Sequence, residues 1–145
     1  MIRTVLVAAG LVVTLSTVIA QSDPIAERRN TMKGVGAATR DGAAMAKGEA
    51  AFDATKSETI FKVYAAAAKK MPGLFPDTAK TGGESTAGPK IWEDPAGFKA
   101  GFAKLDTEAT VAAASSTTDL DSFRTAFGTV TKNCAACHEV YRIKK

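Results

Sequence analysis

Residues 119–141, DLDSFRTAFGTVTKNCAACHEVY, carry the clearest helical pattern in the chain. Spacing at alternating steps of three and four puts one set of side chains on a single stripe of a helix, and Asp119 is a suitable N-cap. This stretch is therefore predicted to be a helix whose inner seam faces a bundle. The residues of that seam are Leu120, Phe123, Phe127, Val130, Cys134, Cys137 and Tyr141.

Three earlier segments also have a helical period, and almost no alternating β pattern occurs in the chain. The first begins at Asp23-Pro24 and the third at Asp94-Pro95, where an acidic cap precedes a proline at the first helical position. The second follows Asp53. The predicted inner faces consist of Ile25, Met32, Val35, Ala38 and Met45 in the first segment, Ile60, Val63, Tyr64, Ala67 and Met71 in the second, and Phe98, Phe102, Leu105, Ala109 and Ala112 in the third.

The connection between the second and third segments is long. Residues 72–95 contain four prolines and four glycines, which argues against a regular helix there. We expect Leu74, Phe75, Ile91 and Trp92, the large apolar residues of this crossover, to pack onto the helices. Two short connections and one long one predict an all-α fold, an antiparallel four-helix bundle that forms one domain over residues 21–145.

The first twenty residues are predicted to be a secretory signal peptide. Arg3 precedes an uncharged, mostly apolar run of 17 residues from Thr4 to Ala20, and small residues suit cleavage before Gln21. The run is short of the roughly 20 residues that span a bilayer, and an uncleaved anchor is the alternative. Cleavage lowers the formal charge from +4 to +3, too mild to indicate nucleic-acid binding. We expect a periplasmic domain with no stable membrane insertion.

The two cysteines and the only histidine form the run CAACH at residues 134–138. Two thiols one helical turn apart can add to the two vinyl groups on one edge of a porphyrin, and the adjacent imidazole can then bind the iron. A thioredoxin-type pair would follow a strand, zinc would need ligands that the chain lacks, and a disulfide at this spacing would be strained. The motif predicts one covalent haem c, attached through Cys134 and Cys137, with His138 as an iron ligand.

Three glycines in the first predicted helix are unusual. Gly34, Gly36 and Gly42 each cost up to about 1 kcal/mol relative to alanine in a helix interior. Two interpretations stay open at this point. Either a bulky group approaches this helix closely, or the glycines allow a close helix crossing or a subunit contact.

The haem motif near the carboxyl end of an all-helical chain, followed by Tyr141-Arg142, resembles the class II cytochromes c, the group that contains cytochrome c prime and cytochrome c-556. Supporting matches are RRNTMKGVG at 28–36, PGLFPD at 72–77 and PKIW at 89–92. The resemblance implies that the first helix crosses the distal face of the haem. It also implies that Met32 faces the iron, that Arg28 meets a haem propionate, and that two copies can pair as a homodimer.

The ligation of the iron decides between two functions. In the low-spin branch of the resembled family a methionine binds the iron, whereas in the high-spin branch this position does not coordinate, even when it is methionine. A soft thioether and the glycines after Met32 favour coordination by Met32 and His138, with Met45 and Met71 disfavoured because they lie nearer helix ends. The predicted function is electron transfer with redox partner proteins. The alternative is a five-coordinate cytochrome c prime that binds nitric oxide or carbon monoxide.

No catalytic residue is predicted, because a peroxidase-like enzyme would need distal acid-base groups and none is visible. Tyr141 is interpreted as a packing residue, and Arg142 as a neighbour of the imidazole or a propionate. Lys132, Lys144 and Lys145 are interpreted as part of a plain solubilising charge distribution. A basic rim around the haem edge that helps to steer an acidic redox partner is the alternative for these lysines.

Overall fold

The computed structural model describes residues 23–115 and 118–143. The predicted signal peptide, Lys144 and Lys145 lie outside the described residues. Within the two described ranges, no helix is both long enough and apolar enough to cross a membrane.

Four long helices form the antiparallel bundle that the sequence predicts, with one short helix added in the crossover. α2 packs against α4, α4 against α5, and α1 against both α2 and α5. The bounds are α1 Pro24–Lys47, α2 Ala54–Lys70, α3 Lys90–Glu93, α4 Pro95–Ser115 and α5 Leu120–Tyr141.

An aspartate caps the N-terminus of every long helix, as the sequence predicts. Each side chain accepts a hydrogen bond from a backbone N–H in the first turn, which satisfies one of the donors that a helix leaves unpaired there. The acceptor is Asp23 for α1 and Asp53 for α2, at 2.9 Å in both cases, Asp94 for α4 at 3.0 Å, and Asp119 for α5 at 2.8 Å. At the other end of α1, Gly48 adopts φ 78°, the left-handed conformation of a helix C-cap.

The capping residues Asp94 and Asp119 are expected to make the fold less stable in acid. Backbone N–H donors of Gly97 and Ser122 hold the pKa values of Asp94 and Asp119 below their ordinary value of 3.8. A carboxyl group with a lowered folded pKa stabilises the fold above its unfolded pKa, and this stabilisation disappears as the pH falls through the folded pKa. The midpoint of thermal unfolding, followed by circular dichroism, is therefore expected to fall as the pH is lowered below about 4.

The matched control is the double variant Asp94→Asn/Asp119→Asn, which keeps a capping oxygen but cannot titrate. Its thermal midpoint should depend less steeply on pH in the same acid range. Equal pH dependence in the two proteins would show that these caps do not carry the acid sensitivity.

The buried side chains form two clusters along the bundle. The first lies between α1, α2, α4 and α5 and includes Phe61 and Phe123, both 0% exposed. The second lies under the crossover and includes Met71, Ile91, Phe98 and Phe102, with Leu74, Phe75 and Trp92 packed against it. The predicted packing of the apolar crossover residues is thus confirmed.

The crossover contains more helix than the sequence indicates. The expectation that residues 72–95 hold no regular helix is wrong for α3, which is bracketed by Pro89 and Pro95 and ended by a hydrogen bond from Asp94 N to Lys90 O of 2.9 Å. Prolines at both boundaries are compatible with a helix because the first turn needs no N–H donor and the ring stops the last turn. Two single turns of 3₁₀ helix, Met71–Leu74 and Asp77–Ala79, precede it.

The crossover is also tied to the end of α5. Gly88 N donates to Tyr141 O at 2.8 Å and Ile143 N donates to Thr86 O at 3.0 Å, around an isolated antiparallel bridge between Ala87 and Arg142. A Cβ on Gly88 would lie 3.0 Å from Tyr141 O, so a larger residue would push the two segments apart. The segment after the helix that carries CAACH is therefore held against the crossover.

Candidate haem-binding site

A cavity of about 1020 Å³ lies between α1, α2, α4, α5 and the crossover. Most of its exposed wall is apolar, with side chains such as Val35, Ala67, Ile91 and Leu105. It brings together every site residue predicted from the sequence, although these residues come from opposite ends of the chain. They are Arg28, Met32, Cys134, Cys137 and His138.

α5 presents the two thiols and the imidazole to this cavity. Cys134 and Cys137 are free, half-buried thiols, and burial raises the pKa of each, which favours the protonated thiol. Desolvation and then the charge of Arg142 lower the pKa of His138. The neutral imidazole, which has a nitrogen lone pair available for a metal, is therefore favoured at neutral pH.

Arg28 provides a buried positive charge at the start of α1. It is only 6% exposed; its Nη2 donates to Ala79 O at 2.6 Å, and its Nε donates to Pro24 O at 3.3 Å. The guanidinium carbon lies 4.4 Å from the ring centroid of Phe75. Burial lowers the pKa of Arg28 and nearby Asp23 opposes that shift, while the usual arginine pKa is so high that the charge is retained.

One nitrogen of this guanidinium is unusual. Nη1 is buried and has no hydrogen-bond partner among the described residues. An unpaired buried donor on a charged group is costly, and Arg28 lines the cavity, so an anionic acceptor there would remove the cost. A haem carboxylate is such an acceptor, and this orphaned nitrogen fits the group that the thiols and the imidazole predict.

Met32 lies one helical turn after Arg28 on α1 and is half-buried against the second cluster. Of the two methionines that the sequence disfavours as ligands, Met71 lines the cavity, whereas Met45 is 1% exposed inside the first cluster and does not line it. One imidazole and one thioether are too few donors to hold a metal unaided. They would be sufficient for a haem iron, whose other ligands come from the porphyrin.

Three residues of the cavity wall, Thr39, Tyr64 and Asn133, make side-chain hydrogen bonds that were not predicted. Thr39 Oγ1 donates to Val35 O at 2.8 Å and accepts from Tyr64 Oη at 2.9 Å, and burial raises the pKa of Tyr64 to about 12. Beside the thiols, Asn133 Nδ2 donates to Glu108 Oε2 at 2.5 Å. Thr39 follows Met32 by two helical turns, and this spacing could have placed Thr39 on the same wall. The residues next to Thr39 and Asn133 in the sequence do not indicate that their partners are Tyr64 and Glu108.

Tyr141 packs as predicted, with its ring centroid 5.2 Å from that of Phe98. It also donates from Oη to Asp94 Oδ2 at 3.0 Å, a contact that the sequence did not indicate. Because Asp94 caps α4, this bond joins the end of the thiol-bearing helix to the start of its neighbour. Arg142 lines the cavity and donates from Nε to Thr86 Oγ1 at 3.3 Å.

The groups that line the cavity together define a class of protein. Two thiols one turn apart, a neighbouring imidazole and a buried guanidinium all face one apolar cavity in a four-helix bundle. The fold and this set of groups define a c-type haem protein of the four-helix-bundle class.

Comparison with known proteins identifies the family. Residues 23–142 match the family model described as Cytochrome C'. The chain is 46% identical over 138 residues to cytochrome c' of Rhodopseudomonas palustris, with 94% of each chain covered, and 38% identical over 121 residues to cytochrome c-556 of Agrobacterium fabrum, with 83% and 82% covered. A solved structure of the R. palustris cytochrome c' superposes with a TM-score of 0.82 at 45% identity, covering 86% of this chain and 99% of that one.

The chain therefore belongs to the cytochrome c' family, the class II cytochromes c that its sequence resembles. Its cofactor is one covalently bound haem c. The predictions of family, fold and cofactor are confirmed together.

Proposed function

We propose that this protein is a periplasmic electron-transfer cytochrome in which Cys134 and Cys137 hold the haem and His138 and Met32 bind the iron axially. The observation that carries the proposal is that Met32 and His138 reach one cavity from different helices, α1 and α5. His138 on α5 and Met32 on α1 would therefore hold the haem iron from two separate helices.

When bound, haem c supplies an iron that gains and loses one electron. The chain's own residues prepare the site for it. His138 offers a neutral nitrogen, and Met32 offers a soft sulfur that favours the reduced metal. Arg28 offers Nη1 to a haem carboxylate as a charge-assisted hydrogen bond. We propose no catalytic residue, because binding and tuning the cofactor is all that these groups need to do.

A second candidate has a specific observation in its favour. The match to a cytochrome c', at 46% identity, exceeds the match to a cytochrome c-556, at 38%. Met32 packs against the second cluster, and methionine is a common filler of irregular apolar space. In this candidate Met32 covers a five-coordinate iron without binding it, and the protein binds nitric oxide or carbon monoxide.

Optical spectra of the haem-loaded protein, oxidised and reduced, test the two candidates. We expect sharp low-spin bands that carbon monoxide does not change. Met32→Leu keeps the volume but removes the sulfur, so it should give high-spin bands that shift when the gas is added.

The matched control is Met71→Leu, the same substitution at the other methionine of the cavity, 4% exposed. It should keep the low-spin spectrum. High-spin, gas-sensitive bands in the unmodified protein would instead establish the second candidate.

A further inference from the structure

Most of the described lysines and arginines that form no ion pair line the cavity. Of the sixteen lysines and arginines among the described residues, ten form an ion pair with a carboxylate. Six do not, and four of those six line the cavity, whereas only Arg29 of the ten paired cations does so. The four are Arg28, Lys33, Arg40 and Arg142.

None of the described residues that line the cavity is acidic. Glu84 lies near and is paired with Arg29, while Glu139, the neighbour of His138, is exposed and does not line the cavity. Even with Arg28 assigned to the cofactor, three unpaired cations remain at the cavity: Lys33, Arg40 and Arg142.

These three cations are placed to meet a partner. Each is exposed, and they come from two helices, since Lys33 and Arg40 lie two turns apart on α1 while Arg142 follows α5. The Arg40 side chain folds back along α1, because its Nη1 lies 3.8 Å from the position of a Cβ on Gly36, which lines the cavity. The three cations therefore lie where the cavity lining meets solvent, and we call them the cationic rim.

We propose that the cationic rim, Lys33, Arg40 and Arg142, is the docking surface for an acidic redox partner protein, which it guides to the mouth of the haem cavity. The inference rests on the proposed electron-transfer function and names its partner class. A field of one sign around a concave mouth accelerates and orients the approach of an opposite charge. Two arginines add planar donors that match carboxylates in pairs.

The structure changes which residues carry this rim. The sequence offered Lys132, Lys144 and Lys145 for such a rim only as the alternative to a plain solubilising charge distribution. Lys132 is exposed but does not line the cavity, and the other two lie outside the described residues. The cavity-lining cations that form the cationic rim are instead Lys33 and Arg40 on α1 and Arg142 after α5.

The test is the rate at which a reduced acidic flavodoxin transfers its electron to the oxidised, haem-loaded protein, measured by stopped flow over a series of salt concentrations. We expect the rate to fall as salt rises. Lys33→Glu/Arg40→Glu should lower the low-salt rate by about tenfold or more. Lys33→Gln/Arg40→Gln, a milder change at the same positions, should give an intermediate loss.

The matched control is Lys62→Glu/Lys99→Glu, which changes the net charge equally at exposed lysines outside the cavity lining. It should lower the rate by less than about threefold. Equal losses in the two charge-reversed proteins would overturn the proposal, because net charge alone would then explain them. A rate insensitive to salt would also overturn it.

Binding to anionic phosphatidylglycerol vesicles separates a membrane from a protein partner. Loss of vesicle binding in Lys33→Glu/Arg40→Glu, with an unchanged flavodoxin rate, would assign the rim to a lipid surface and overturn the proposal. The optical spectrum of each variant is recorded first. High-spin bands in the unmodified protein would refute iron binding by Met32. The docking surface is tested separately, by the difference in electron-transfer rate between Lys33→Glu/Arg40→Glu and Lys62→Glu/Lys99→Glu.

Discussion

Replacing both cysteines, as Cys134→Ser/Cys137→Ser, is expected to abolish covalent attachment of the haem completely. They are the only thiols in the chain, and both line the cavity as free, protonated groups. Serine has a side chain of similar size but cannot form a thioether. The intact mass of the unmodified protein should exceed that of its polypeptide by one haem, and the mass of the double variant should not.

Stability should fall together with attachment. Without its cofactor the protein would expose the apolar wall of a cavity of about 1020 Å³ to water, and Arg28 Nη1 would stay without an acceptor. The double variant is therefore expected to unfold at a clearly lower temperature than the haem-loaded protein. A ligand that binds only the folded state raises the unfolding temperature, and covalent attachment prevents its loss by dilution.

Single replacements provide the matched control. Cys134→Ser and Cys137→Ser each leave one thiol, so a fraction of each protein should still carry one haem by mass, attached through a single bond. Haem that survives acid-acetone extraction of the double variant would contradict the assignment of these two residues.

The parts of the fold that could be predicted from the sequence are those encoded by neighbouring residues. Asp94-Pro95 predicts a helix start because the cap and the fixed φ of proline act within one turn. The CAACH run predicts the cofactor for the same reason, since one helical turn determines how the two thiols and the imidazole are spaced. The path of the chain between helices was not needed for either prediction.

The remaining features depend on contacts between distant parts of the chain. Arg28 meets Ala79, 51 residues away, and Tyr141 meets Asp94, 47 residues away. Both contacts depend on how the crossover folds back, which a helical period does not specify. The sequence did not predict α3, because a helix of four residues is too short to show a helical period of apolar residues.

The three glycines of α1 have different surroundings in the structure, and the sequence alone could not distinguish them. Gly36 lines the cavity, in agreement with the interpretation that a bulky group approaches this helix. Gly42 is buried against the Phe127 ring on α5, in agreement with the interpretation of a close helix crossing. Gly34 is exposed and a Cβ there would meet nothing within 4 Å.

The crossing at Gly42 predicts a large effect on stability. A Cβ at this position would lie 2.9 Å from Phe127 Cζ, 3.0 Å from Cδ2 and nearer still to Cε2. The Phe127 ring cannot move aside freely, because it stacks on Phe123, 0% exposed, at 5.3 Å between centroids. Gly42→Ala is therefore expected to lower the free energy of unfolding by about 1–3 kcal/mol, the usual cost of overpacking a core.

Gly34→Ala makes the same substitution on the same helix, where the new methyl group enters open space. It should raise the free energy of unfolding by up to about 1 kcal/mol, because alanine loses less backbone freedom than glycine in a helix. Denaturant titration of the haem-loaded proteins measures both changes, and changes of the same sign would contradict the close crossing. Adding Phe127→Leu, which shortens the opposing ring, should recover part of the Gly42→Ala loss, because two side chains that collide do not contribute independently. Such coupling would show that the contact of α1 with α5, the two helices that carry Met32 and His138, depends on the absence of one methyl group at Gly42.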